Sequence, residues 1–110
     1  MLNNLMIVGR LINEPKIVET EDNRKKVNIT VAVSRSMKNK DGIYESDFID
    51  CSLYGNVGET TYNLCHKGDI VGIRGRLETR IKEDKKIMEV VADKISFLKT
   101  KSQPNKDYER

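Results

Sequence analysis

Tryptophan is absent from the 110-residue sequence, histidine occurs once, cysteine twice, and aromatic residues make up only 5%. Two cysteines cannot build a multiply cross-linked disulfide scaffold, and the spacing of Cys51 and Cys65 matches no common zinc pattern. Both read as small buried hydrophobes. His66 has no second histidine with which to share a metal ion, and reads as a solvent-facing loop residue. No run of 18 apolar residues offers a membrane span, and Met1 to Arg10 lacks the basic-then-apolar layout of a signal peptide. A cytoplasmic setting is the resulting expectation. A Gly-rich phosphate loop is also missing, and the acidic residues alternate with basic ones as on solvated strand edges. Neither catalysis nor a metal or other cofactor is expected.

What is present is charge. Charged residues account for 34% of the chain, with 20 basic and 17 acidic groups giving a net +3. Residues 1–55 hold 8 basic and 8 acidic groups, whereas residues 56–110 hold 12 and 9, so the whole excess lies in the second half. The length suits one domain.

Periodicity supplies the elements. In Val27-Asn28-Ile29-Thr30-Val31-Ala32-Val33 the branched residues share one face, which predicts a half-buried strand. Leu5 to Ile12 is apolar on both faces except at Gly9 and Arg10, so both sides need cover, from the core or from another subunit. Pro15 ends or bends that strand into Lys16-Ile17-Val18, Glu19 to Lys26 reads as a turn, and Ser36 to Gly42 as a basic loop. A second alternating strand, Phe48 to Tyr54, turns Ile49, Cys51 and Leu53 inward and Phe48, Asp50, Ser52 and Tyr54 outward. Two of only six aromatic rings thus face out, and burying a Phe is worth roughly 1.5–3 kcal/mol. A subunit interface, a ligand, or the reverse choice of face would each account for them.

Asn56-Val57-Gly58-Glu59 has the spacing of a capping box and predicts a short helix to about His66, closed by Gly68 with Lys67 in its last turn. The next strand, Ile70 to Leu77 and beyond, points Val71, Ile73 and Leu77 inward and Arg74, Arg76, Glu78 and Arg80 outward. Its glycines permit bending or close backbone approach. A charged tip, Lys82 to Lys86, leads into a last strand, Ile87 to Leu98, and a polar flexible tail over 99–110. Three strands, a short helix and two strands predict an all-β OB-fold, a five-stranded Greek-key barrel with its helix between the third and fourth strands, as one domain over 1–98. Phe48 and Tyr54, together with Arg35, Lys38, Lys40, Arg74, Arg76, Arg80 and Lys82, then form a candidate surface for a nucleic-acid single strand. Rings stack on bases, and Lys and Arg follow the phosphates and release counterions.

Over residues 1–98 the chain resembles bacterial single-stranded DNA-binding proteins. The matching stretches are Val8-Gly9-Arg10-Leu11 with Pro15, Ala32-Val33-Ser34-Arg35, and Asp47-Phe48-Ile49 with Cys51. They continue with Lys67-Gly68, Val71-Gly72-Ile73, Gly75-Arg76-Leu77, Glu89-Val90-Val91-Ala92-Asp93 and Phe97-Leu98. The resemblance implies a homotetramer that binds and protects single-stranded DNA without sequence preference in replication, recombination and repair. It adds Arg10 and Lys67 to the DNA-contact set. It also places stacking positions at Phe48, Tyr54, Met37 and Lys82, of which the last two usually carry a ring in the family. Their replacement here predicts a weaker, more salt-dependent complex. The sequence ends at Asp107-Tyr108-Glu109-Arg110 without the acidic, hydrophobic tip by which family members recruit replication and repair proteins, so it reads as a short, tail-less member, with a truncated chain or a divergent natural ending as the alternatives. The alternative is a primosome-type OB subunit that acts mainly through protein interactions in replication restart.

Overall fold

The computed structural model describes residues 1–99. Strands β1 (Leu5–Leu11), β2 (Lys16–Glu19), β3 (Lys25–Lys38) and β4 (Tyr44–Tyr54) precede a helix, α1 (Gly55–Leu64), and strands β5 (Ile70–Lys82) and β6 (Lys85–Lys99) follow it. The strand order is β1-β5-β6-β4-β3-β2, and a further β1–β3 pairing, Arg10 with Ala32 and Leu11 with Val31, closes the sheet into a barrel. β1 and β2 together fill the place of the expected bent first strand, broken by the buried Pro15, which has no N–H to offer a ladder. β4 and β6 run parallel, which requires a long crossover between them; α1 and β5 make it.

The alternating sets expected from the sequence form the core. Val27, Ile29, Val31, Cys51, Leu53, Val71 and Ile73 are buried, joined by Leu11, Cys65, Val90 and Ala92. Leu77 does not join them and is 42% exposed; it pairs with Val90, the end of the β4–β6 pairing, and from there β5 and β6 run on as a two-stranded arm that turns at Glu83 and Asp84. Within the barrel, β5 approaches β6 so closely that a Cβ on Gly75 would lie 2.2 Å from the Val91 carbonyl oxygen. The register shift between Arg74 and Gly75 leaves Asp93 as the extra residue of a bulge in β6.

Several local expectations are corrected. The capping box does not form: Tyr54 is the N-cap, without a side-chain hydrogen bond, and α1 begins directly at Gly55. The helix also ends earlier than expected. Cys65, 1% exposed, leaves it in an extended conformation to enter the core, so Lys67 and Gly68 lie in a separate turn where the Asp69 N–H donates to the His66 carbonyl at 3.0 Å. The expected basic loop over Ser36–Gly42 is shorter than expected, since Ser36, Met37 and Lys38 belong to β3, which pairs with β4 out to Lys38 opposite Tyr44. Only a tight turn remains, in which Asn39 Oδ1 accepts from the Asp41 and Ile43 N–H groups. At the other end Lys99 still pairs with Ile70, while the rest of the tail, 100–110, lies outside the described residues.

Candidate nucleic-acid interface

Paired residues on neighbouring strands point to the same side of a sheet, so the β3–β4 register defines the outer face. Its rows are Lys26 with Tyr54, Asn28 with Ser52, Thr30 with Asp50, and Ala32 with Phe48. Arg10 extends the last row across β1. Phe48 is 65% exposed beside the small Ala32, so most of its ring is open to solvent. Asp50 accepts a hydrogen bond from the Thr30 hydroxyl at 2.8 Å rather than pairing with an arginine.

At the other end of this face, Tyr54 is half-buried and the Arg24 guanidinium lies 4.7 Å from its ring centroid, within cation–π range. A cleft of about 540 Å³ opens here between the β2–β3 turn and the β5–β6 arm, lined by Glu21, Arg24, Lys26, Tyr54, Arg80 and Lys82 among others. A second cleft, of about 390 Å³, continues along the face past Asn28, Thr30, Asp50, Ser52, Arg80 and Met88. Tyr54, Arg80 and Lys82 therefore meet as expected, and Phe48 lies on the same outer face. Met37, 78% exposed, and Lys38 and Lys40 are carried out along the β3–β4 hairpin, where Lys38 Nζ sits 5.6 Å from the Tyr44 ring.

Of the remaining basic residues, Arg10 holds its place in the outer row with its guanidinium tied to the Gly68 carbonyl, and Arg35, Lys67, Arg74 and Arg76 do not converge on this face. Arg35 forms ion pairs with Asp47 at 2.8 Å and Glu45 at 3.2 Å. Asp47 belongs to the Ile49 side of β4, opposite Phe48. That pairing raises the Arg35 pKa and holds the Asp47 carboxyl below its usual range, first through the hydrogen bond between them. Arg74 lies beside Leu5, Met6 and Asp93 on the outside of β1 and β5. Arg76 is clamped by Glu78 at 2.8 Å and Asp93 at 2.9 Å. Strict alternation puts Arg74, Arg76 and Arg80 on one face of β5, but a long strand twists as it leaves the barrel wall for the arm, and only Arg80 and Lys82 reach the cleft. Arg10 donates to the Gly68 carbonyl at 2.9 Å, and the Lys67 N–H donates to Glu14 at 3.0 Å. That backbone bond is the main reason the Glu14 pKa lies below its ordinary value. His66 is exposed, as expected, with Nδ1 3.2 Å from the same carboxylate.

Four residues of the site were not singled out in the sequence. Arg24 and Lys26 fell within the stretch read as a turn, Glu89 within the last strand, and Tyr44 in the hairpin. Continuing the alternation backward from Val27 puts Lys26 on the outer face, and continuing it backward from Phe48 does the same for Tyr44. Lys26 is nevertheless only 5% exposed. Desolvation pulls its pKa below the ordinary lysine value, against the pull of Glu89. Among the described residues no group of three or more His, Cys, Asp or Glu side chains could hold a metal ion, and no helix is long and apolar enough to cross a membrane.

Known proteins resemble this chain in architecture and in sequence. A solved structure described as Plasmodium falciparum SSB complex with ssDNA superposes with a TM-score of 0.77 over 89% of this chain and 96% of that one. At 23% identity the likeness shows the OB-fold. The chain is 37% identical over 106 residues to single-stranded DNA-binding protein B of Bacillus subtilis (strain 168), a match covering 92% of this chain and 94% of that protein. It is 36% identical over 109 residues to single-stranded DNA-binding protein 1 of Clostridium acetobutylicum, covering 93% and 98%. Against the single-stranded DNA-binding protein of Oceanobacillus iheyensis it is 38% identical and spans 66% of that protein's length. Residues 2–98 match the model of the single-strand binding protein family, and the chain belongs to that family.

Proposed function

We propose that the chain binds single-stranded DNA without sequence preference, as a binding protein and not an enzyme, along the outer face of β3 and β4. The observation that carries this reading is the continuity of that face: the open ring of Phe48 leads past Thr30 and Asn28 to Tyr54 and the cation-lined cleft. Bases stack on the rings whatever their identity, since every base has a π-face, while Lys38, Lys40, Arg80 and Lys82 take the phosphates. Arg80 and Lys82 line the first cleft and Lys38 and Lys40 lie on the hairpin; Arg80 shares the Glu89 carboxylate at 3.2 Å, whereas Arg35 and Arg76 are each clamped by two carboxylates.

The same reading places the protein in replication, recombination and repair, at the nucleoid in the cytoplasm. A homotetramer is supported by the outside of β1, where Met6 is 79% and Val8 56% exposed, apolar area that a second copy would cover. The relatives are named for single-strand binding, which favours this reading over a restart subunit acting mainly through proteins.

Competition tests it. A labelled mixed-sequence single strand bound to the protein should be displaced by unlabelled single strands of any sequence and not by equal amounts of duplex. Equal displacement by duplex would contradict the reading.

A further inference from the structure

Lys26, Ser52, Arg80 and Glu89, which all line the second cleft, form a charge arrangement that simple phosphate tracking does not need. Lys26 Nζ donates to the Ser52 hydroxyl at 3.1 Å, and that hydroxyl donates to Glu89 Oε2 at 3.1 Å. Lys26 Nζ also lies 4.0 Å from the same oxygen. The other carboxylate oxygen, Glu89 Oε1, faces Arg80 Nη1 at 3.2 Å. One carboxylate, 11% exposed, is thus shared between a lysine side chain 5% exposed and an arginine side chain 47% exposed.

The two cations are unequal partners. Only 5% of the Lys26 side chain is exposed, so losing its carboxylate would leave a largely buried charge poorly compensated, which is costly. Arg80 can turn away into the cleft, where a phosphate would replace the carboxylate it leaves. Glu89 would stay compensated at that moment by Lys26 and by the Ser52 hydroxyl. The depressed Lys26 pKa, which the neighbouring Arg80 and Lys82 charges lower further, fits a site that gains when one positive charge moves away.

We propose that Glu89 is an internal competitor for the DNA phosphate: Arg80 is held by Glu89 in the free protein and passes to a phosphate on binding, while Lys26 retains Glu89. This rests on the single-strand reading of the cleft. Glu89 is then a positioning residue that moderates affinity, and the buried lysine is what allows its arginine partner to leave.

Titrations of a fluorescently labelled oligothymidine at several salt concentrations test it, with the parent chain and the variants Glu89→Gln, Arg80→Gln, Arg80→Gln/Glu89→Gln and Lys26→Met/Glu89→Gln. Glu89→Gln should tighten binding about two- to fivefold, the size of an exposed ion pair no longer competing. Arg80→Gln should weaken binding and reduce the slope of log affinity against log salt by about 0.7, the loss of one single-strand phosphate contact. On the Arg80→Gln background the Glu89→Gln gain should vanish. A gain that persists there is a general field effect and overturns the exchange, as does a Glu89→Gln variant that binds no tighter than a parent that does bind. Should Glu89→Gln fail to fold because Lys26 is stranded, Lys26→Met/Glu89→Gln removes the buried pair together and should show the same tightening; its absence overturns the proposal. A parent chain that does not bind at all overturns the underlying reading along with it.

Discussion

Phe48 and Tyr54 occupy equivalent positions in the alternation of β4, yet their surroundings differ. Phe48 is 65% exposed, while Tyr54 is half-buried with a guanidinium over its ring. In OB-fold single-strand binders a stacked base is worth about 1–3 kcal/mol by alanine substitution. Phe48→Ala should therefore lose about that much binding energy with little change in stability, because its ring buries little area in the free protein. Tyr54→Ala should lose a similar amount of binding and also lower the melting temperature, because the contact with Arg24 and the cover over Lys26 go with it. Calorimetry alongside titration separates the two effects. At this scale the sequence exposed the rings but not their neighbours. Alternation says which side a residue faces; it is silent on whether a carboxylate arrives from another strand. Arg35, Arg76 and Arg80 look alike in sequence, and all three are paired in the fold.

Among the elements, the alternating strands were legible because each has one buried face, and a period-2 pattern leaves little choice of register. α1 was legible as a helix but not in its limits. Its start is fixed by packing at Gly58, where a Cβ would fall 2.4 Å from the Leu53 carbonyl oxygen, and its end by the burial of Cys65. A capping pattern worth about 1 kcal/mol does not override such contacts. Gly58→Ala shows which effect prevails. Helix propensity alone would favour alanine by about 1 kcal/mol, but the carbonyl has no flexible end to move, so overpacking of about 1–3 kcal/mol dominates. The variant should be less stable in urea, whereas Thr60→Ala on the exposed side of α1 should change stability little. A stabilised Gly58→Ala variant would mean that the helix rests less tightly on the barrel than described. The two hairpin arms were the least legible elements. Beyond the barrel neither face of β3, β4, β5 or β6 is buried, so the pattern that marks a strand fades into what reads as a polar loop.

For the whole molecule, a net charge of +3 understates how the charges are distributed. Arg35 and Arg76 are each clamped by two carboxylates, while Arg80, which shares Glu89, and Lys82 line the cleft and Lys38 and Lys40 lie along the hairpin, so on the proposed reading the affinity should owe as much to a few placed cations as to the two rings. The outside of β1 predicts association: light scattering should give about four times the mass of one chain, and Met6→Glu on that outer face should lower it. A parent chain that scatters as a monomer would contradict the homotetramer. The central claim, that the β3–β4 face and its clefts carry a single strand, is tested most directly by titrating the protein with a long oligothymidine at several salt concentrations while following tyrosine emission, which no tryptophan obscures. Saturable quenching is predicted, with log affinity falling against log salt at a slope of at least about −3, four phosphate contacts at roughly 0.7 each. No saturable quenching, or an affinity indifferent to salt, would contradict it.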